Sequence, residues 1–262
     1  MPGAEKHETR SPEGTEMKIA NWNLERALPS QTRANTIRER MSEVDADIWI
    51  LTETHEELSP GVGFSGVFSG EPDQPSKIGE RWVGIWSRHR TEPLGAFVSD
   101  GARCAAARIS IPNSRDIIVF GCVLPWVGSA WRDTGSEHGA FDAALHLYLV
   151  DWRRLRSANP DAVFVAAGDF NQDLAERHYY GSKRQRLLLE SALESAGLTA
   201  LTGGDGDPIA RDSSPCACID HICISNEPTL PVKRTTRWPD LPAPDKRISD
   251  HFGVAVEFCV RP

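Results

Sequence analysis

The stretch AVFVAAGDFNQDL at residues 162–174 decides how the chain is read. Its apolar run, 162–167, predicts a buried strand. Gly168 permits a tight backbone at the strand end, and Asp169 and Asn171 then emerge on one side. A carboxylate and an amide two residues apart can share a small site. One can orient or deprotonate water while the other donates a hydrogen bond to developing negative charge.

Four further segments set polar residues at the ends of apolar runs. In IANWNLE, residues 19–25, strand alternation places Ile19, Asn21, Asn23 and Glu25 on one face, so the strand tip offers hard oxygen ligands. In DIWILTETH, residues 47–55, Ile48 to Leu51 reads as a fully buried strand with Glu53 at its C-terminal end. His55 is expected at the surface. CIDHICIS at 218–225 and ISDHFGVAVEF at 248–258 each carry Asp-His at the start of an apolar strand. If all five segments meet at one place, strands 17–22, 47–52 and 162–167 arrive there and the two Asp-His strands leave it. Such a rim requires antiparallel neighbours.

Apolar or β-branched runs predict further strands at 82–87, 94–98, 103–111 and 116–124, and the Asp-His segments continue as strands over 219–225 and 253–260. Helices are expected at 31–43, 138–157 and 183–196, the last with an apolar stripe through Leu187, Leu188, Leu189, Ala192, Leu193 and Ala196 and a stop at Gly197. Several strands follow one another without helices, which disfavours a TIM barrel or a doubly wound Rossmann sheet. The order suits two sheets packed face to face with helices outside. No G-x-G-x-x-G or G-x-x-x-x-G-K-[ST] fingerprint appears.

The chain has 262 residues, 40% apolar and 25% charged, and reads as an ordinary globular protein with one catalytic domain over 17–262. Residues 1–16 are polar, lack the apolar stretch of a secretory signal, and are expected to form a disordered leader. No apolar run approaches the ~18 residues of a membrane span, so the expectation is no membrane partner and a cytoplasmic location. Cys216 and Cys218 form a C-x-C pair, but no second close Cys/His pair completes a zinc site, and reduced thiols are expected. The net charge of −8 argues against coating nucleic acid through a broad basic face, though a local basic patch can still hold a phosphate backbone.

Together the segments WN (22–23), LTET (51–54), GDFN (168–171), IDHI (219–222) and SDHFGV (249–254) resemble the endonuclease/exonuclease/phosphatase superfamily, the DNase I-like and exonuclease III-like group. The resemblance implies a four-layer αββα sandwich of two mixed, largely antiparallel sheets, with the active site at one edge. It implies Mg²⁺ or Mn²⁺ held by Asn23, Glu53 and Asp250, with Glu25 as a second acid nearby. Asp169 would orient or deprotonate the attacking water and Asn171 would stabilise phosphoryl oxygens. His251 would be the catalytic imidazole, with Asp220 fixing its tautomer. One departure stands out. Relatives usually carry a His, or a Tyr followed by x-Pro, at the end of the strand corresponding to 116–124. Here that end reads Val123, Leu124, Pro125, Trp126. His138 and His146, further along, are read as helix-surface residues.

The segment AERHYYGSKRQR at 175–186 follows GDFN directly and offers Arg177, Tyr179, Lys183, Arg184 and Arg186 as substrate contacts, with Trp126 as a further one. Cationic side chains track phosphates and aromatic rings stack on bases. A second basic cluster, KRTTRW at 233–238, is expected in the loop before SDH. The leading reading is a nuclease acting on DNA or RNA. A phosphatase or phosphodiesterase of a small phosphorylated molecule or lipid head group is the alternative, and a non-catalytic binding protein on the same scaffold is a third.

Overall fold

The computed structural model describes residues 14–130, 139–210, 215–226, 230–239, 245–246 and 248–261. Along the chain run β1 (Thr15–Asn23), α1 (Thr32–Val44), β2 (Ile48–His55), β3 (Ser65–Phe68), β4 (Glu80–Ser87), β5 (Arg90–Pro93), β6 (Cys104–Ser110) and β7 (Ile117–Val123). They continue with α2 (Gly139–Ala158), β8 (Val163–Asp169), α3 (Lys183–Ser195), β9 (Leu198–Ala200), β10 (Asp220–Ser225), β11 (Val232–Trp238) and β12 (Gly253–Val260). One six-stranded sheet has the order β11-β12-β1-β2-β4-β3 and the other β5-β6-β7-β8-β10-β9. The two parallel pairs, β1 with β2 and β7 with β8, are those joined by α1 and α2. The other pairs are antiparallel, so β10 and β12 leave the end at which β8 and β1 arrive.

Alternation along the central strands builds the four layers. Ile19 of β1, Ile48 and Ile50 of β2, Val163, Val165 and Ala167 of β8, and Ile222 of β10 pack between the sheets. The intervening Ala20, Trp22, Trp49 and Leu51 pack with Ile37 and Met41 of α1. Phe164 and Ala166 pack with α2 and α3. Strands buried on both faces read as unbroken apolar runs, which is why they are legible in the sequence.

Several expectations change. Residues 94–98 are not a strand: Gly95–Phe97 form a 3₁₀ turn, and the strand lies just before it at β5. The short edge strands β3, β5 and β9 were not expected. KRTTRW is not a loop but β11, and Trp238 is a core residue set edge-on to Trp22 and Trp49. Thr15 and Glu16 belong to β1 rather than to a leader, and residues 1–13 lie outside the described residues. His55 is buried, with Nε2 on the Ile78 carbonyl and Nδ1 accepting from Glu57 N–H, instead of lying at the surface. His146 is exposed on α2, while His138 falls outside the described residues. All six cysteines are free. Among the described residues no helix is long and apolar enough to cross a membrane.

Gly168 sits where only glycine fits. Its φ is 143°, and a Cβ would lie 1.9 Å from the Cys122 carbonyl oxygen on β7. Gly168→Ala should therefore destabilise the protein by about 3 kcal/mol or more, seen as a lower urea midpoint. An unchanged midpoint would show that β7 can give way.

Candidate active site

The inner faces of the two sheets turn from apolar to polar at the same end. On β1 the row Ile19, Asn21 ends in Asn23, and on β8 the row Val165, Ala167 ends in Asp169. Buried Asn21 ties the sheets together there, donating from Nδ2 to the Gly168 carbonyl at 2.9 Å and the His221 carbonyl at 3.3 Å. One step outward, Asn23 Nδ2 reaches Asp169 Oδ2 at 3.0 Å and Glu53 Oε1 at 3.3 Å.

Glu53 arrives by a break in the pleat. Alternation with Trp49 and Leu51 would turn it toward α1, but its φ of 44° is left-handed and the β2–β4 pairing skips it. Glu25 shows the opposite outcome. Expected beside Asn23, it has a φ of 47° and is drawn to Arg33 Nη1 at 2.9 Å, while its N–H donates to Asn23 Oδ1 at 2.8 Å. As oriented, Asn23 thus presents amide hydrogens to the carboxylates and its oxygen to the backbone.

Asp220 of β10 is the direct cross-strand partner of Asp169. Its Oδ2 accepts from His251 Nδ1 at 2.7 Å, and its buried Oδ1 has no hydrogen-bond partner among the described residues. His251 is fixed by its backbone: its N–H donates to Ser249 Oγ, which donates to the Asn23 carbonyl, and its carbonyl accepts from Trp22 Nε1. Ligand atoms of Asp169, Asp220 and His251 all lie within 4.8 Å of one another. Asp250 stands at the rim, half-exposed, with Oδ1 3.9 Å from His251 Nε2.

The first Asp-His pair sends only its Asp to the site. Asp220 faces the site while His221 points into the helix-facing core, where Nε2 meets the Gln172 carbonyl at 2.9 Å and Nδ1 meets Thr202 Oγ1 at 3.3 Å. The carbonyl can only accept, so Nε2 carries the proton. Burial pulls the His221 pKa down.

Electrostatics follow from crowding. Burial, then the Asp220 charge, push Asp169 up to about 7. Burial raises Glu53 as well. For His251 burial works downward, but the Asp220 carboxylate, with Asp169 and Asp250 behind it, carries the imidazole up to about 10. These charges favour the protonated ring, which in that form donates through Nδ1 to Asp220 and presents Nε2–H to the site.

Asn171, at φ 47°, donates its backbone N–H to Asp169 Oδ1 at 2.9 Å and Nδ2–H to the Leu124 carbonyl at 2.9 Å. Of the basic segment, Arg184 is paired with Asp142 at 2.7 Å and Arg186 with buried Asp173, so neither is a free cation. Arg177 and Tyr179 line a cleft of about 550 Å³ together with Asp205, Asp207 and Cys216, and no member of the carboxylate centre lines it. Lys183 begins α3, and Trp126 is exposed just beyond Leu124. Arg26 was not singled out in the sequence. Its Nε lies 3.7 Å from Glu53 Oε2 and its guanidinium 5.0 Å over the Trp82 ring. Its place directly after Asn23-x-Glu25 was the available signal.

The family model described as the Endonuclease/Exonuclease/phosphatase family matches residues 20–251, and the chain belongs to that family. Among solved structures it is similar to the 3′ phosphatase NExo from Neisseria bound to product DNA hairpin (TM-score 0.64, 21% identity, 92% of this chain and 99% of that one). It is also similar to the human Nocturnin catalytic domain with bound sulfate (0.65, 16%, 96% and 99%). A third is D. rerio TDP2 complexed with single-strand DNA product (0.58, 15%, 93% and 99%). At these identities the likeness establishes the DNase I-like sandwich fold. Comparison with curated protein sequences returned no significant match.

The raised carboxyl gives a pH signature. A folded-state pKa of about 7 for Asp169, against about 3.9 unfolded, contributes stability present below pH ~4 and lost as pH rises through 7. Asp169→Asn should therefore gain on the wild type between about pH 5 and 8 in urea titrations with chelator. A constant difference across that range would place the Asp169 pKa near its ordinary value.

Proposed function

We propose that the chain is a divalent-metal-dependent phosphoester hydrolase, most suited to phosphodiesters of DNA or RNA. The observation that carries this reading is the buried meeting of Asp169, Asp220 and His251 with Asn23 and Glu53. Uncompensated buried carboxylates are costly, and here one oxygen, Asp220 Oδ1, has no partner among the described residues. That donor chemistry fits a hard cation.

We assign Mg²⁺ or Mn²⁺ to Glu53 with Asp250, whose charges act on one another. An imidazolium has no lone pair to offer, so His251 is not a ligand in its charged form. Asn23 orients Glu53 and Asp169; it becomes a ligand only if its amide flips and releases the Glu25 N–H. Glu25, committed to Arg33, stays outside the first set of ligands. The metal would supply charge stabilisation at the phosphoryl group.

The chain's own groups supply the rest. Asp169, with a pKa of about 7, can accept a proton from water near neutral pH. His251 presents Nε2–H to phosphoryl oxygens while Asp220 holds its other nitrogen. Asn171 shapes the turn and has a second amide hydrogen for the substrate. Arg26 sets a further cation beside Glu53.

A second reading, a small phosphorylated substrate, is favoured by the pairing of Arg184 and Arg186 with acids of the same chain. Arg177 and Lys183 are then the cations that would follow a polynucleotide. Replacing both with Ala should weaken binding and flatten its salt dependence, the slope changing by roughly 0.7–0.9 log unit for each phosphate no longer neutralised. Polynucleotide affinity indifferent to both changes would favour the small-molecule substrate.

The metal assignment is tested with Glu53→Gln, which preserves size and removes charge. Hydrolysis of DNA, RNA or an activated phosphodiester should fall at least ~100-fold, and calorimetric Mg²⁺ affinity should weaken. Unchanged Mg²⁺ affinity would remove Glu53 from the metal site.

A further inference from the structure

The chain leaves β1 through a tight turn whose two central residues are both left-handed. Glu25 has a φ of 47° and Arg26 a φ of 52°, and the Ala27 N–H closes the turn on the Leu24 carbonyl at 3.0 Å. This is the pattern of a type I′ turn, which ordinarily takes Gly, Asn or Asp at its centre. The strain is held by the neighbouring strand. Leu24 N–H donates to the Thr52 carbonyl and Arg26 N–H to the Glu53 carbonyl, each at 2.9 Å, and Leu24 and Ala27 are fully buried. The turn thus fastens the Arg26 backbone directly to that of Glu53.

The Arg26 side chain meets both the carboxylate centre and an aromatic platform. Its Nε is 3.7 Å from Glu53 Oε2. The other oxygen of that carboxylate faces Asn23 Nδ2 at 3.3 Å, and the same nitrogen reaches Asp169 Oδ2 at 3.0 Å. The guanidinium also lies 5.0 Å from the centroid of the Trp82 ring. That ring is fixed: its Nε1 donates to Asp73 Oδ1 at 2.9 Å, and Arg103, bound through Nε to Asp73 Oδ2 at 3.2 Å, stacks on it at 4.4 Å. At 3.7 Å the contact with Glu53 is an ion pair and not a hydrogen bond. No side-chain nitrogen of Arg26 makes a hydrogen bond among the described residues, and the side chain is 33% exposed. Nearby arginines differ, with Arg33 Nη1 on Glu25 at 2.9 Å and Arg81 Nη2 on Glu56 at 3.1 Å. Arg26 therefore carries an unused donor fork, laid on a ring and set against an acid of the centre. A planar fork with donors and no acceptor suits phosphate oxygens.

We propose that Arg26 is a substrate-contacting residue at the Glu53 flank of the centre, its guanidinium donating to a phosphate oxygen of the substrate. This rests on the phosphoester reading above. A divalent cation at Glu53 would satisfy that carboxylate and leave the guanidinium to the substrate. The phosphate is either the one being hydrolysed or its neighbour in a polynucleotide. A positive charge in this place acts oppositely on the two ions, opposing Mg²⁺ and favouring phosphate. An arginine that only held Glu53 in position would favour both.

The test compares Arg26→Gln, which removes the charge and keeps a planar group, with Arg26→Lys, which keeps the charge without the fork. The full chain is given Mg²⁺ with inorganic phosphate or bis-p-nitrophenyl phosphate, which carry one phosphate, or with whichever DNA or RNA oligonucleotide the wild type cleaves. In the Gln variant, phosphate affinity by NMR titration and kcat/KM for the diester and the oligonucleotide should fall ~10-fold, with Lys recovering part of the loss. Calorimetric Mg²⁺ affinity should tighten ~3-fold, and the melting temperature should stay at the wild-type value. A loss shared by all the probes places Arg26 on the scissile phosphate, and a loss confined to the oligonucleotide places it on a neighbouring one. A Gln variant equal to wild type toward every probe overturns the assignment and leaves the phosphoester reading standing. Weaker Mg²⁺ binding or a lower melting temperature also overturns it, by showing that Arg26 acts only through the position of Glu53. If the wild type neither binds phosphate nor cleaves the diester or any oligonucleotide, the phosphoester reading falls and takes the Arg26 assignment with it.

Discussion

Two buried carboxylates facing each other across adjacent antiparallel strands set the terms for this structure. Asp169 and Asp220 are register partners on β8 and β10, and both are buried. Like charges in such positions repel, and burial compounds the cost. The compensation comes from the opposite sheet: His251, from the turn into β12, gives Asp220 a positive partner, and Asn23, at the tip of β1, gives Asp169 an amide hydrogen. The centre therefore exists only while the sheets are packed. Asn21 fastens them one residue inward, through carbonyls next to both acids.

The same logic repeats on a smaller scale beyond Asn171. Asp173 is buried without a metal-site role, and its lone pairs are taken up by backbone N–H groups, a histidine and an arginine. A carboxylate surrounded this way organises a loop. One chain segment, from β8 to the start of α3, thereby supplies Asp169 and then a braced loop beside it. The salt bridge of Arg186 belongs to that scaffold, which is why a basic side chain near the centre need not be a substrate contact.

Where relatives were expected to place a His, or a Tyr followed by x-Pro, the chain has Val123 and Leu124 before Pro125, and the structure gives Leu124 a backbone task. Its N–H and carbonyl brace Asp169 and Asn171. The Tyr148 hydroxyl, from α2, shares its hydrogen between the neighbouring Val123 carbonyl and Asp100 Oδ2, each at 3.2 Å, so the end of β7 is held from the helix side as well. Arg26 and Arg103 stack on Trp82, at 5.0 and 4.4 Å from its ring, and carry positive charge from the Glu53 side of the centre toward Asp73.

The sequence by itself determined the central strands, the three helices and the segments that converge, because burial on both faces of a sheet writes an apolar run and a helix stripe writes a 3.6-residue period. It also carried the family, through GDFN and SDH. It did not determine the edge strands β3, β5, β9 and β11, whose pairing is made by a neighbour's backbone and leaves little apolar pattern; KRTTRW reads as a loop for that reason. Nor could it place single side chains at strand ends. Alternation predicted Glu25 beside Asn23, yet one left-handed residue sends it to Arg33, and another at Glu53 brings that acid in. In β10 neighbouring residues point to opposite faces, so the face turned to the other sheet selects Asp220 and leaves His221 outside, whereas Asp250 and His251 stand in the turn before β12, with His251 on Asp220 and Asp250 at the rim. Those selections depend on contacts between residues far apart in the chain, which only the packed sheets bring together.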